Sequence, residues 1–152
     1  MDTKNLYVKR NLINSDNIYA WATEQGFFSL LNGKDMHVTI AYSNEKIDWS
    51  DITPKKNKLK INGGKRSIKK LGKAIVLCFD SELLHERWQE FKDEGANWDF
   101  PEYITHISLS YSEQPDLDLE KIIPYMGELL FGNEIFDEIN DNFKEETKEI
   151  EL

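Results

Sequence analysis

The feature that most constrains the fold of this chain is a four-residue pattern that occurs twice. Residues 37–40 (HVTI) and 106–109 (HISL) both read histidine, apolar, hydroxyl, apolar. Because side chains on a β-strand point alternately to opposite faces, each histidine shares a face with its hydroxyl residue, about 7 Å away. Continuing the alternation puts Ala41 on the face of His37 and Tyr42 on the other. The pattern predicts two strands, each with one face in a core and one presenting an imidazole and a hydroxyl.

The pattern is unusual for a chain with so few histidines. The chain has three, and two of them begin the motif. Chance would produce two such matches with a probability below about one in a thousand. A single histidine of this kind is most simply a half-buried packing residue, whereas the pair favours a functional site. The third, His85, lies on a predicted helix beside Glu86, and we interpret it as a surface residue.

Hydrophobic periodicity predicts the same local unit ahead of each motif, namely a strand and a helix that lead into the motif strand. The predicted strands are 6–10, 36–42, 59–61, 65–68, 74–79, 103–111 and 128–139. The predicted helices run from a cap at 15 or 16 to 25, from a cap at 80 or 81 to 94, and over 118–125. The repeated unit predicts an α+β fold with two related, pseudo-symmetric lobes in a single domain, residues 1–152.

The charge of the chain restricts its partners. The chain has 19 Lys and Arg against 28 Asp and Glu, a net charge of −9. Proteins that hold long DNA or RNA need a basic face, so we expect no long nucleic acid as a partner. The charge is uneven, because residues 55–73 contain nine Lys and Arg and no acid, which leaves −18 for the rest. This stretch is either a solvated hairpin or an edge that attracts phosphate groups, and a small nucleotide stays compatible with both.

Other features exclude whole classes of protein. The single cysteine, Cys78, can form neither an intrachain disulfide nor a zinc site built on several thiolates. No apolar stretch approaches the roughly 20 residues of a membrane helix, and residues 1–10 lack the pattern of a leader peptide. We therefore expect a cytoplasmic globular protein, monomeric, with no metal, no cofactor and no membrane partner.

Two histidines with neighbouring hydroxyls suit the cleavage of a phosphodiester. One imidazole takes a proton from the attacking oxygen and the other protonates the leaving oxygen, and a pKa near about 6.5 allows either role near neutral pH. Thr39 and Ser108 can donate hydrogen bonds to the non-bridging phosphate oxygens as negative charge develops there. The predicted catalytic residues are therefore His37, Thr39, His106 and Ser108, without a metal ion. The pattern does not assign which histidine is the base.

The H-x-T motif at 37–39 and the H-x-S motif at 106–108 resemble those of the 2H phosphoesterase superfamily, which is named for two such motifs. The resemblance covers about 6–139 and implies a bilobal, pseudo-two-fold α+β (LigT-like) fold with a central cleft between antiparallel sheets, and metal-independent phosphodiester chemistry. The segment NLYVKR at 5–10 is similar to the start of phage anti-CBASS enzymes, which degrade the cyclic oligonucleotide signals of a bacterial defence. That likeness implies hydrolysis of 3′–5′ bonds in cyclic di- and trinucleotides such as cyclic GMP–AMP.

Five further residues are candidates for binding the bases of a nucleotide. Nucleobases bind to aromatic surfaces and to a few polar groups at their edges. Tyr7 in the first strand, and Trp98 and Phe100 in the loop before the second motif, are candidates for stacking, with core packing as the alternative. Glu134 is a candidate acceptor for a purine edge, with surface solvation as the alternative. Asn140 either reads a base or forms a turn.

Several alternatives stay open at this point. Residues 141–152 are either a mobile tail or a lid that folds over the cleft and excludes water. Another 2H activity would act on 2′–5′ oligoadenylates or on 2′,3′-cyclic RNA ends. A protein of another class would bind a signal nucleotide without cleaving it, or act as an acidic decoy for a basic protein. A sequestering protein would need the pocket but not both histidines.

Overall fold

The structure, a computed structural model, describes residues 3–139, so the predictions for Asn140 and for residues 141–152 lie outside it. Its helices and strands, in chain order, are β1 (Lys4–Leu12), α1 (Ser15–Gln25), β2 (His37–Ile47), β3 (Leu59–Ile61), β4 (Arg66–Leu71), β5 (Ala74–Phe79), α2 (Glu82–Asp93), β6 (His106–Ser110) and β7 (Leu129–Asp137). Within this described part, neither helix combines the length and apolar character needed to cross a membrane. The predicted α+β class is confirmed.

The strands form one antiparallel sheet in the order β3-β7-β1-β2-β6-β5-β4. The two motif strands, β2 and β6, are neighbours at its centre, where Val38 pairs with Ile107. On one side of this junction lie β1, β7 and β3, and on the other lie β5 and β4. Each motif strand is therefore the innermost strand of its own half of the sheet.

Both helices contribute to the core on one face of the sheet. The main buried cluster contains residues of α1, of α2 and of both motif strands, among them Ile18, Ala22, Leu84, Phe91, Val38, Ile40, Ile107 and Leu109. The apolar residues of the two motifs are thus in the core, as the alternation predicted. The opposite face, which carries His37, Thr39, His106 and Ser108, is called the motif face below.

A β-bulge in β2 changes which residues share the motif face. Val8 of β1 pairs with Ala41, but the next residue of β1 pairs with Thr39, so Ile40 is an extra residue in the ladder. The prediction that Ala41 lies on the face of His37 is therefore wrong, and Ala41 is in the main core. Tyr42 lies instead beside Tyr7 on the motif face, with ring centroids 5.8 Å apart.

The predicted helix over 118–125 is reduced to a single 3-10 turn. Asp118 Oδ1 accepts a hydrogen bond from the Glu120 backbone N–H at 3.1 Å and caps the turn Leu119–Lys121. Pro124, three residues beyond the turn, has no N–H to donate to a continuing helix. The other two predicted helices are present, and α2 begins where Ser81 Oγ accepts from the backbone N–H of Leu84 at 3.2 Å.

Candidate active site

The four motif side chains form one group at the centre of the motif face. Because Val38 pairs with Ile107 in an antiparallel ladder, the histidine of each motif lies beside the hydroxyl residue of the other. Directly opposed side chains in such a ladder are about 5 Å apart, and diagonal ones about 7–8 Å. The two imidazoles are therefore on a diagonal, with a separation that suits a phosphate group between them.

The two histidines are held in the same way. His37 Nδ1 is 2.8 Å from the carbonyl oxygen of Asp35, and His106 Nδ1 is 2.7 Å from that of Ile104, two residues upstream in both cases. A carbonyl oxygen only accepts, so each Nδ1 carries the proton and donates it. The neutral rings therefore keep Nε2 as the basic nitrogen, and each Nε2 can give up a proton once the ring is protonated.

Tyr7 lies at this group rather than at a separate base-binding surface. Its hydroxyl is 2.8 Å from His37 Nε2 and 3.2 Å from Thr39 Oγ1. With Nδ1 protonated, Nε2 accepts, so the Tyr7 hydroxyl donates to it and accepts from Thr39. Burial raises the pKa of the Tyr7 hydroxyl, which keeps its proton at neutral pH. The structure thus brings a phenol into contact with two of the predicted catalytic side chains.

The surroundings of His37 favour its neutral form. Burial of the ring lowers its pKa most, and the positive charges of Lys9 and of a protonated His106 lower it further, against the raising effect of its bond to Asp35. Lys9 pairs with Thr39 across the β1–β2 ladder and so shares the motif face. Lys9 was not predicted as a site residue. The signal in the sequence was its position two residues after Tyr7, which puts both side chains on the same face of β1.

The hydroxyl of the second motif also has a tyrosine partner. Tyr111, which follows β6 directly, lies close enough to the Ser108 side chain for Ser108 to lower the pKa of its phenol, and burial raises that pKa by more. Thr39 in the first motif is hydrogen-bonded to Tyr7. Each motif hydroxyl therefore has a phenol beside it.

The two aromatic candidates of the loop before β6 lie at one end of the motif face. Trp98 packs against the buried pair Tyr7 and Tyr42, and its Nε1 donates to the Glu102 carbonyl at 3.0 Å. Phe100 contacts Trp98, with ring centroids 5.4 Å apart. The structure thus brings Trp98 next to the catalytic group, with Phe100 behind it, and stacking on a base stays a prediction for both.

Glu134 lies on the opposite face of the sheet and has a structural role. It pairs with Arg10 in the β1–β7 ladder, and both of its carboxylate oxygens accept from Arg87 of α2, at 2.8 and 2.9 Å. Oε1 also accepts from the backbone N–H of Lys55 at 2.9 Å. Glu134 was predicted to contact a purine edge, with solvation at the surface as the alternative. Its carboxylate is instead part of a buried ion pair with Arg87, which contradicts both.

The motif face carries one thiol and no cluster of metal-ligating side chains among the described residues. Over residues 3–139, no group of three or more His, Cys, Asp or Glu side chains is placed to hold a metal ion. Cys78 is buried on the motif face opposite His106 in the β5–β6 ladder, and burial raises the pKa of its thiol.

Comparison with known sequences gives a family match over most of the chain. The family model described as Anti-CBASS protein Acb1 matches residues 4–146. The chain is 42% identical over 151 residues to the anti-CBASS protein Acb1 of Caulobacter sp. (strain RHG1), covering 95% of this chain and 24% of that protein. It is 40% identical over 148 residues to the protein of the same description from Sphingomonas paeninsulae, covering 91% and 24%. The chain thus spans about a quarter of the length of these relatives.

Solved structures of E. coli LigT share the fold. The complex with NADP+ matches with a TM-score of 0.58 at 13% identity, over 89% of this chain and 87% of that one. The complex with ATP matches with a TM-score of 0.56 at 12% identity, over 90% and 87%. At such identities the likeness concerns the fold, and the fold predicted from the two motifs is confirmed.

Proposed function

This chain belongs to the family of the anti-CBASS protein Acb1, and we propose that it is a phosphodiesterase that acts on cyclic oligonucleotides. It hydrolyses 3′–5′ bonds in cyclic di- and trinucleotides such as cyclic GMP–AMP. In the bacterial cytoplasm this removes the signals used by the CBASS defence. The reaction needs no metal ion, and its catalytic residues are His37, Thr39, His106 and Ser108.

The observation that carries the proposal is the common orientation of two imidazoles. Both Nδ1 atoms are bonded to backbone carbonyls, at 2.8 and 2.7 Å, so both Nε2 atoms are available for proton transfer. The two rings lie on neighbouring strands beside two hydroxyl donors. A base, an acid and two donors for the equatorial oxygens are the groups that phosphodiester cleavage requires.

In the first step His37 is the base, because its lowered pKa keeps the ring neutral near pH 7. The ribose 2′-OH replaces the Tyr7 hydroxyl at His37 Nε2 and gives up its proton there. The 2′-oxygen bonds to phosphorus while the bond from phosphorus to the 5′-oxygen breaks, and His106 Nε2 protonates that oxygen. Thr39 and Ser108 donate to the non-bridging oxygens. The product is a linear strand with a 2′,3′-cyclic phosphate.

The second step opens the cyclic phosphate and restores the histidines. His106, now neutral, takes a proton from water as the water oxygen bonds to phosphorus. The bond from phosphorus to the 2′-oxygen breaks, and His37 returns its proton to that oxygen. The final product is a 3′-phosphate, and neither step requires a group outside the motif face.

Binding of the bases is proposed for the aromatic residues at the end of the motif face. Trp98, which packs beside Tyr7 and Tyr42, supplies a stacking surface, with Phe100 beside it. Asn140 and the lid formed by 141–152 remain predictions. The acidic remainder of the chain disfavours long RNA, which would meet repulsion beyond the site, and favours a compact cyclic ligand.

The direct test is incubation of the purified protein, in the presence of a chelator, with a panel of substrates resolved by chromatography and mass. The panel contains cyclic di- and trinucleotides, linear 2′–5′ oligoadenylates and 2′,3′-cyclic RNA ends. We expect linear products from the cyclic oligonucleotides and none from a cyclic analogue whose attacking 2′-OH is replaced by hydrogen. Faster cleavage of 2′–5′ or RNA-end substrates would assign the other 2H activity, and binding without product would assign sequestration.

Variants separate catalysis from binding. His37→Ala and His106→Ala should each lower kcat by about 10²–10⁴-fold. Thr39→Ala should lower it by about 10²-fold or more if its hydroxyl stabilises the transition state. Thr23→Ala is a matched control, because the exposed Thr23 hydroxyl donates to Tyr19 within α1, away from the motif face. Binding retained by the double histidine variant, measured by calorimetry, shows that the pocket persists.

A further inference from the structure

A cavity of about 640 Å³ lies next to His106, between the β4–β5 hairpin and residues 102–105. It is lined on the motif face by Ser67, Lys69 and Cys78. Its volume falls within the range of about 300–1,000 Å³ that is usual for small-molecule sites. The reaction described above occupies the histidines and leaves this neighbouring space unassigned.

The strand register fixes where the cavity stands relative to the catalytic group. Ser67 pairs with Cys78, and Cys78 pairs with His106, so these three residues form one row across β4, β5 and β6. Lys69 is in the next row, two strands from Ser108. With strands about 4.8 Å apart, the Cα atoms at the two ends of each row are about 10 Å apart. The cavity is therefore beside the scissile position and not at it.

Lys69 provides a positive charge at this cavity, and no described carboxylate forms an ion pair with it. Lys70, its exposed neighbour on β4, points to the other face and forms an ion pair with Glu113 at 3.7 Å. Burial raises the pKa of the Cys78 thiol, and the positive charge of Lys69 lowers it in part. The charge of Lys69 therefore acts on Cys78, which lines the cavity.

Acidic residues restrict where an anion can lie in the cavity. Asp80 and Glu102 also line it, and Asp80 stands against Gly64 at the open end of the β4–β5 hairpin, where Lys65 and Arg66 also line the cavity. Arg66 donates to the Tyr125 and Gly63 carbonyls at 3.0 and 3.3 Å, and the two carboxylates repel an anion at this end. Lys69 pairs with Val76, four residues before Asp80, so the position for a negative group lies at Lys69 and the Ser67 hydroxyl, beside the row of His106.

We propose that Ser67 and Lys69 bind a second phosphate of a cyclic oligonucleotide while the scissile phosphate lies between His37 and His106. This subsite deepens the proposed function and rests on it. A cyclic dinucleotide carries two phosphodiesters in one ring, and binding both selects it over ligands that carry a single phosphate. The Lys-rich stretch 55–73 thus contributes one defined residue to recognition, through charge attraction and a donated hydrogen bond.

The test compares Lys69→Met with Lys70→Met, which removes the same charge from the adjacent residue on the opposite face. Each variant is assayed with a cyclic dinucleotide and with a linear 3′–5′ dinucleoside monophosphate, which keeps the 2′-OH and has one phosphate. For Lys69→Met we expect KM for the cyclic substrate to rise about tenfold, the effect of one charge-assisted hydrogen bond, with kcat within about twofold. KM for the linear substrate should change less than about twofold, and Lys70→Met should leave both constants unchanged.

Two outcomes overturn the subsite. An equal rise in KM for both substrates would place Lys69 at the scissile phosphate, and matching behaviour of the Lys69 and Lys70 variants would leave Lys69 without a role. Melting temperatures near that of the original protein exclude a folding defect. If the unaltered protein cleaves neither substrate, the proposed function fails. The subsite is then judged from the dissociation constant of the cyclic dinucleotide, which Lys69→Met should raise about tenfold.

Discussion

Replacement of Glu134 by Gln tests whether this residue stabilises the fold or binds substrate. Glu134 and Arg87 have side chains that are 1% and 5% exposed, and two hydrogen bonds of 2.8 and 2.9 Å join them. The same carboxylate also faces the buried guanidinium of Arg10, which its charge stabilises against burial and against repulsion by Arg87. Glu134 is thus the buried negative charge that faces two buried positive charges, and the half-exposed Glu90 adds a second bond to Arg87.

The size of the effect follows from these burials. Removing one partner of a buried ion pair costs about 3–5 kcal/mol, because the other charge is left uncompensated. Gln keeps the shape and one acceptor oxygen, which places the expected loss near the lower end, about 3 kcal/mol. In a chain of this length each kcal/mol lowers Tm by about 2–4 °C, so we expect a decrease of about 6–12 °C.

The assay is thermal or urea unfolding of Glu134→Gln beside a control from the same network, Glu90→Gln. Glu90 bonds to Arg87 at 2.7 Å but its side chain is 51% exposed, so its replacement should cost less than about 1 kcal/mol. The KM of Glu134→Gln, measured well below its Tm, should match that of the original protein. An unchanged Tm together with a raised KM would refute the structural role and restore the prediction that Glu134 contacts a base.

Three further predictions concern the motif face and its support. Lys9→Met removes a positive charge that lowers the pKa of His37, so the pKa of His37 should rise. Because activity is lost as the pH falls through that pKa, the acidic limb of the pH profile of kcat/KM should move to higher pH by about half a unit at low salt. An unmoved limb would contradict the assignment of His37 as the base. Tyr7→Phe should lower the free energy of unfolding by about 1 kcal/mol, and it should lower kcat by less than about tenfold because the phenol transfers no proton. A loss of kcat as large as that of a histidine variant would give the Tyr7 phenol a catalytic role. Gly95→Ala should lower the free energy of unfolding in urea by about 1–2 kcal/mol. Gly95 has φ +115°, and an added Cβ would lie 2.7 Å from Ile47 Cδ1. An unchanged urea midpoint would contradict the expected loss of stability.

Periodicity predicted the strands but not the irregularity within them. The alternation of 37–40 and 106–109 placed both motifs on strands with the correct faces, because core burial and strand geometry impose the same period of two. The bulge at Ile40 has no Gly or Pro to announce it, so the exchange of Ala41 and Tyr42 between faces was not visible. β2 also runs on to Ile47, five residues beyond its predicted end, because it pairs with the start of β1.

The site was predicted where the chemistry is local, and missed where it depends on distant partners. Each imidazole and hydroxyl pair lies within three residues, so one strand suffices to arrange it. Glu134 has a buried partner in Arg87, 47 residues away, and no local pattern distinguishes it from a surface acid. Lys9 belongs to the site only because β1 lies beside β2, which the order of elements along the chain does not fix.

The orientation of the histidines by carbonyl groups has a consequence for how the site uses charge. A carboxylate partner would raise the pKa of an imidazole strongly, whereas a neutral carbonyl fixes the orientation of the ring with a smaller effect on its charge. The first negative charge to arrive between the rings is then the phosphodiester itself, which raises the pKa of an imidazole beside it. Substrate binding thereby supplies the protonated acid, while burial and Lys9 keep His37 neutral as the base.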